Sequence, residues 1–202
     1  MRTPSRYRAV QTGVLISVLV LAAGTLTGCA DASTPTQTTR PAASTPEASQ
    51  HPPIFASNDE ALAAAQAAYT KYLTAGDTAG AIGTESWNTY LSLTTGSEHA
   101  GVLKARETMR ENGWSFTGTT TFDSMVIQSS NALPDGSWEI RAYLCLDLSG
   151  SDMVDNSGVS RINHGRQRRS PMVVVFVSSQ DSPEQLLISE SPIWSGSNFC
   201  SA

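Results

Sequence analysis

Two kinds of hydrophobic spacing divide the chain from residue 54 onwards. Apolar residues recur at helical spacing up to residue 111, and after residue 113 they alternate with polar residues at every second position. The first pattern predicts helices over 58–75, 78–91 and 96–111. The second predicts strands over 117–128, 138–148 and 185–191, and a continuous apolar run over 172–177 is typical of a central strand. Helices followed by antiparallel strands indicate an α+β fold, with N-terminal helices packed on a curved antiparallel sheet of about four strands.

Local signals mark the ends of the helices. Ser57 with Glu60, and Thr95 with Glu98, have the spacing of a capping box, in which each side chain satisfies a free backbone N–H of the first turn. Gly76 is expected to end the first helix, because glycine is the commonest residue just beyond a last helical turn.

Two apolar faces supply the predicted core. One lies on the first helix and one on the strand over 138–148, and their members are Leu62, Ala65, Tyr69, Tyr72 and Leu73, and Trp138, Ile140, Ala142, Leu144 and Leu146.

Residues 1–28 are organised differently from the rest of the chain. Three arginines precede an apolar run from Val14 to Ala23, which is shorter than the roughly 20 residues of a membrane-spanning helix. A charged start, a short apolar middle and a small-residue end are typical of a cleaved export signal, with an uncleaved anchor as the alternative.

The segment Leu26-Thr27-Gly28-Cys29 resembles the lipobox of bacterial lipoproteins. The resemblance implies cleavage between Gly28 and Cys29 and a diacylated Cys29, and two acyl chains are enough for stable anchoring. Membrane lipid would then be the partner of Cys29, on the extracytoplasmic face of the cell membrane.

Residues 29–53 are predicted to form a disordered tether rich in Ser, Thr and Pro. Residues 30–53 have no large apolar side chain, so they cannot offset the entropy lost on ordering. A single α+β domain is predicted over residues 54–202.

Charge and cysteine content narrow the function. Residues 1–28 hold three of the 13 Lys and Arg side chains and none of the 18 Asp and Glu, so their removal moves the net charge from −5 to −8. An acidic chain is not expected to bind nucleic acid.

Cys145 and Cys200 are an even pair in an exported protein and are predicted to form a disulfide, with two free buried thiols as the alternative.

No metal site, cofactor or catalytic residue is predicted. Two distant cysteines without a nearby histidine pair do not make a zinc ligand set. The three histidines are scattered along the chain, at His51, His99 and His164.

The order of elements resembles the nuclear-transport-factor-two-like (cystatin-like) superfamily, and the chain is similar to small actinobacterial surface lipoproteins with such a domain. The resemblance covers about residues 55–200, and the stretches that carry it are 64–69, Tyr72-Leu73, 143–147 and 195–200. It implies a cone-shaped domain. Enzymes of this superfamily place an acid or a histidine inside the cone.

Four residues are candidates for a pocket in the cone: Tyr69, Asp123, Tyr143 and Asp147. The alternative interpretation is that Tyr69 and Tyr72 belong to the core and that the aspartates lie on strand surfaces or at strand ends.

One basic cluster stands out in this acidic chain. The polar stretch 149–170, predicted to be a loop, contains Arg161, Arg166, Arg168 and Arg169. Arginine side chains suit phosphate-rich envelope polymers or acidic partners, so the cluster is a candidate anion-binding loop. The alternative is a solvated loop that discourages pairing between strand edges.

These patterns together favour a lipid-anchored extracytoplasmic lipoprotein without catalytic activity, which binds a ligand, an envelope polymer or a protein partner, or serves as an accessory part of an envelope assembly. A small isomerase-like or cyclase-like enzyme, with an acid–base site inside the cone, is the first alternative, and a purely structural spacer is the second. The oligomeric state is left open.

Replacing Cys29 by serine removes the sulfur that would carry the lipid. We expect the Cys29→Ser variant to take up no labelled fatty acid and to accumulate as uncleaved precursor or released protein. Equal labelling of variant and parent would contradict the lipobox prediction.

Overall fold

The computed structural model describes residues 53–81, 84–179 and 181–201, so the predicted signal segment, Cys29 and tether residues 30–52 lie outside the described residues. The helices of the described part are α1 (Asn58–Ala81), α2 (Thr84–Leu91) and α3 (Gly96–Asn112). Its strands are β1 (Ser115–Gly118), β2 (Thr121–Ala132), β3 (Trp138–Asp147), β4 (Ser151–Val154), β5 (Arg169–Ser178) and β6 (Leu186–Glu190). Among these described helices, none has both the length and the apolar character needed to cross a bilayer.

Four strands form an antiparallel sheet in the order β2-β3-β5-β6, and β1 pairs with β4 in a separate two-stranded sheet. Helix α1 packs against β2 and β6, which are the two edge strands of the larger sheet, so that sheet curves around the helix. Two register shifts in β2, with Ser124 at φ 56°, supply bulges that bend this edge. The predicted fold class, N-terminal helices on a curved four-stranded antiparallel sheet, is confirmed.

The core lies between α1 and the concave face of this sheet. Ile140, Ala142 and Leu144 alternate along β3 and are fully buried there, as the period-two pattern predicts. Val174 and Phe176 of β5 continue the same face, and Tyr69 of α1 packs edge-on against Phe176. Burying side chains of this size stabilises the fold by roughly 1.5–3 kcal/mol each.

Helix α1 does not end at Gly76, contrary to the sequence prediction, but runs on to Ala81. The reason is packing. A Cβ atom at Gly76 would lie 3.0 Å from Cζ of Tyr90, and one at Gly80 would lie 2.3 Å from Cβ of Phe116. The two glycines are one helical turn apart, and they let α2 and β1 approach the helix closely.

The stretch 149–170 is not entirely a loop, although its polar sequence predicts one. Its first residues form β4, which pairs with β1 from Ser115↔Val154 to Gly118↔Ser151. Each of these strands has only four residues, too few for an alternating pattern to be recognisable. Their pairing is set by tertiary contacts, since β1 also packs on α1.

The carboxyl-terminal tail is fixed to the convex face of the sheet. A disulfide joins Cys145 of β3 to Cys200. Between them, the Tyr143 ring meets those of Trp194 and Phe199 edge-on, at 5.3 and 5.9 Å between centroids. This linkage closes a loop of 55 residues, which stabilises the fold by roughly 4 kcal/mol in the chain-entropy account.

Two helical glycines provide a matched test of this packing. Gly101 would have nothing within 4 Å of an added Cβ atom, so Gly101→Ala should raise the free energy of unfolding by about 0.5–1 kcal/mol through helix propensity. Gly80→Ala should instead lower it by about 1–3 kcal/mol, because the new methyl group overlaps Phe116. Urea denaturation of both variants checks this, and equal stabilisation would contradict the close packing of β1 on α1.

Candidate functional site

A cavity of about 270 Å³ lies among α1, α2, α3, β1 and the concave face of the sheet. Its inner part is formed by buried residues of α1 and the sheet, and its outer part by the more exposed side chains of α2 and α3. The lining residues are Tyr69, Tyr72, Leu73, Gly76, Asp77, Gly80, Trp87, Tyr90, Ala105, Met109, Phe116, Thr120, Leu146, Met172 and Ser191.

A chain of hydrogen bonds runs along one side of the cavity. The Tyr90 hydroxyl donates to the Tyr72 hydroxyl at 3.0 Å, and the Tyr72 hydroxyl donates to a carboxylate oxygen of Glu98. The Ser191 hydroxyl donates to the other oxygen of Glu98 at 2.6 Å. Every proton in this chain therefore points towards Glu98, and the Tyr90 oxygen is left as the outer, accepting end.

Burial keeps the phenols of the cavity protonated. Desolvation is the largest cause, and it raises the pKa of Tyr90 to about 12. Burial also raises the pKa of Tyr69 and of Tyr72, with the charge of Glu98 adding to both shifts. At neutral pH these groups are hydroxyl donors and acceptors, and they do not act as bases.

Glu98 occupies this position because it does not cap its own helix. Thr95 is the N-cap residue of α3, but its side chain makes no capping hydrogen bond, and Glu98 turns to Tyr72 and Ser191 instead. The capping box at the start of α1 differs, since the Ser57 hydroxyl accepts the Glu60 N–H and the Glu60 carboxylate accepts the Ala56 N–H.

A second polar group lies on the α1 side of the cavity. Asp77 accepts a hydrogen bond from the backbone N–H of Thr120 at 2.9 Å. It is one residue beyond Gly76, whose missing side chain makes room for the Tyr90 ring. The cavity therefore has a carboxylate, a phenol oxygen and several aromatic rings within one enclosure.

The largest concavity described is a different one. It measures about 940 Å³ and lies between α1 and the turn before β6, where it is lined by Ile54, Ala64, Ala67, Ala68, Lys71, Leu93 and residues 182–186. Its polar side chains are exposed and make no hydrogen-bonded network with each other in the described residues. The smaller interior cavity is the candidate site, because it combines buried aromatic side chains with hydrogen-bonded phenols and a carboxylate.

The structure brings one of the four predicted pocket residues to this cavity. Tyr69 is buried in its wall, but Tyr143 lies on the convex face of the sheet against the tail. Asp123 pairs with Arg169, and its pKa is lowered by the hydrogen bond from Ser124 and then by the bond from Arg169.

Asp147 is paired elsewhere too. Its carboxylate accepts a hydrogen bond from the backbone N–H of Ser149, and its pKa is lowered chiefly by its bonding to Ser149. Both aspartates lie at the strand ends near Arg169 and do not reach the cavity, which matches the alternative interpretation of surface carboxylates.

Three of the four predicted anion-binding arginines bond to the chain itself. Arg161 pairs with Asp155, whose pKa is lowered by the bond from Ser157 and then by that from Arg161. Arg166 donates to the carbonyl oxygens of Leu148 and Ser151.

Arg169 donates to the Asp123 carboxylate and to the Cys200 carbonyl. Arg168 lines a polar concavity of about 400 Å³ with His164 and Arg166. The anion-binding role of this loop stays a prediction.

Several residues of the site carry a sequence signal that points to a different role. The spacing of Glu98 from Thr95 indicates a capping box, and Gly76 indicates a helix end. Gly76 and Gly80 lie on the same side of α1 as its tyrosines, one helical turn apart. This spacing could have predicted the site, because two such glycines indicate that another element packs closely there. Within the described ranges, no group of three or more His, Cys, Asp or Glu side chains is placed to hold a metal ion.

No protein-family model matches the chain, and no curated protein matches it. Among solved structures, the intermembrane space region of the chloroplast protein ARC6 aligns with a TM-score of 0.46 and 11% identity, over 67% of this chain and 97% of that one. A periplasmic fragment of TraM aligns with a TM-score of 0.43 and 14% identity, over 69% and 98%.

ActVI-ORFA from Streptomyces coelicolor aligns with a TM-score of 0.36 and 12% identity, over 65% of this chain and 92% of that one. TM-scores and identities this low carry no argument about function.

The raised tyrosine pKa values predict a stability loss at alkaline pH. The unfolded chain ionises its tyrosines near pH 10, whereas the folded chain holds the Tyr90 proton to about pH 12, so the free energy of unfolding falls as pH rises above about 10. Tyr90→Phe should make this slope shallower by about 1 kcal/mol per pH unit between about pH 10 and 11. Urea denaturation along a pH series measures it, and an unchanged slope would contradict the burial of this phenol.

Proposed function

We propose that this protein is a lipid-anchored, extracytoplasmic binding module that holds a small, largely apolar ligand in the cavity between its helices and its sheet. The observation that carries the proposal is the cavity of about 270 Å³ bounded by aromatic rings and by the Tyr90–Tyr72–Glu98 hydrogen-bond chain. Ligand sites are typically concave and mostly apolar, with a few placed polar groups, and their volumes start at about 300 Å³. The ligand is therefore small.

The hydrogen bonds favour binding over acid–base chemistry. A general base must lie within hydrogen-bond reach of a substrate proton, and Glu98 is not among the residues that line the cavity. Both oxygens of Glu98 already accept hydroxyl protons, from Tyr72 and Ser191. The raised pKa of Tyr72 opposes its ionisation. The arrangement suits orientation of a bound molecule better than removal of its proton.

The placement outside the cytoplasm rests on two independent features. The lipobox-like segment ending at Cys29 implies export and anchoring. The Cys145–Cys200 disulfide needs an oxidising compartment to persist. The tether predicted over residues 29–53 would hold the domain away from the membrane while leaving it free to meet its ligand.

Filling the cavity from its exposed side tests the binding role. Ala105 lines the cavity from α3, and its side of the helix is solvent-exposed, so Ala105→Phe should occupy the cavity at little cost to folding. We expect toluene and indole to shift the backbone amide resonances of the cavity-lining residues in the parent protein. The same probes should bind Ala105→Phe at least about tenfold more weakly.

Ala100→Phe is the matched control, because Ala100 is an exposed alanine of the same helix and does not line the cavity. It should bind both probes as the parent does. Absence of shifts in the parent with these probes and with cationic probes, or equal loss in both variants, would contradict a binding site at this cavity.

A further inference from the structure

We propose that the cavity selects an organic cation, namely a small molecule with a tertiary or quaternary ammonium group. The inference rests on the proposed function, because it names the ligand class of the same site. Three features support it: the aromatic rings are clustered, the oxygens of Tyr90 and Asp77 can accept or attract a cation, and the lining has no cationic side chain.

Aromatic side chains dominate the outer half of the cavity. The ring of Tyr90 lies 5.0 Å from that of Tyr72 and 5.9 Å from that of Trp87, measured between centroids, and both contacts are tilted. Phe116 adds a further ring from β1. At least four aromatic rings therefore line one space. The negative faces of aromatic rings attract cations within about 6 Å, most strongly for tryptophan.

The hydroxyl oxygens of the Tyr72–Tyr90 pair have acceptor character. The proton of the Tyr72 hydroxyl is committed to Glu98, and the proton of the Tyr90 hydroxyl is committed to Tyr72. A ligand therefore meets the lone pairs of the Tyr90 oxygen and finds no free proton there. Asp77 contributes a carboxylate from α1, held in place by the Thr120 N–H.

No lysine, arginine or histidine belongs to the described lining of the cavity. Lys104 and Arg106 flank Ala105 in the sequence, but neither of them lines the enclosure. An anionic ligand would meet Asp77 with no cation to offset the repulsion, and a neutral ligand would leave that carboxylate desolvated beside it. A cation with an apolar surface satisfies both the carboxylate and the rings.

The size of the cavity and the charge of the chain agree with this ligand class. A volume of about 270 Å³ accommodates a trimethylammonium head with a short substituent, but not a large ligand. The chain has a formal net charge of −5, so the overall field favours the approach of cations.

Three isosteric probes separate charge from shape: choline, neutral 3,3-dimethylbutan-1-ol and anionic 3,3-dimethylbutanoate. Each is titrated by NMR into the purified, disulfide-bonded protein to about 50 mM, above the millimolar Kd expected for so small a probe, with ionic strength held constant by NaCl. We expect choline to bind about tenfold more tightly than the neutral alcohol and the anion not to bind.

Asp77→Asn tests the carboxylate without removing an acceptor for the Thr120 N–H. It should weaken choline binding about tenfold and change binding of the neutral alcohol less than about twofold. Asp181→Asn makes the same change of charge at an exposed aspartate away from the cavity, and it should leave choline binding unchanged.

The outcomes separate the two proposals. If the neutral alcohol binds as tightly as choline, or if indole binds and choline does not, cation selectivity is overturned while the binding role stands. If neither choline nor indole shifts the cavity resonances, the binding role itself is overturned. If Asp77→Asn and Asp181→Asn weaken choline binding equally, the loss comes from the change in net charge, and the role of Asp77 is overturned.

Discussion

The carboxylate of Glu98 is the point on which the helical layer and the end of the sheet depend. Its two oxygens accept hydrogen bonds from Tyr72 of α1 and from Ser191, just after β6, and the Tyr90 hydroxyl extends the chain to α2. A half-buried carboxylate is costly unless its lone pairs are used, so these donors are required where they are. One side chain thereby fixes three helices and the sheet edge relative to one another.

The walls of the cavity depend on two glycines of α1 that each face an aromatic ring, one from α2 and one from β1. Gly76 and Gly80 remove side chains from one strip of α1, where the rings of Tyr90 and Phe116 then lie against the helix backbone. Protein interiors are close-packed with few voids, so a cavity between these rings and the hydrogen-bond chain is a specific feature of the helical layer. The space left over is enclosed by the same residues that stabilise the layer, which makes the core and the candidate site continuous.

Sequence patterns predict the layers well and the site poorly. Ile140, Ala142 and Leu144 alternate with less buried residues because every second side chain of a strand points to the same sheet face. Their burial can therefore be predicted from the sequence alone. The function of Glu98 is not readable, because its partners are 26 and 93 residues away in the sequence and its spacing from Thr95 imitates a local cap. The strand pair β1–β4 cannot be predicted for the same reason, because strands of four residues are stabilised by partners that are distant in the sequence.

The covalent link between Cys145 and Cys200 also bears on how the protein withstands proteases. The most exposed stretch between the two cysteines, residues 156–165, lies inside the 55-residue loop that this link closes. A single cut there leaves both fragments joined, and the strands on either side of the cut remain paired in one sheet. Backbone breakage in this region therefore does not release a fragment, and the domain can persist as a nicked but intact molecule.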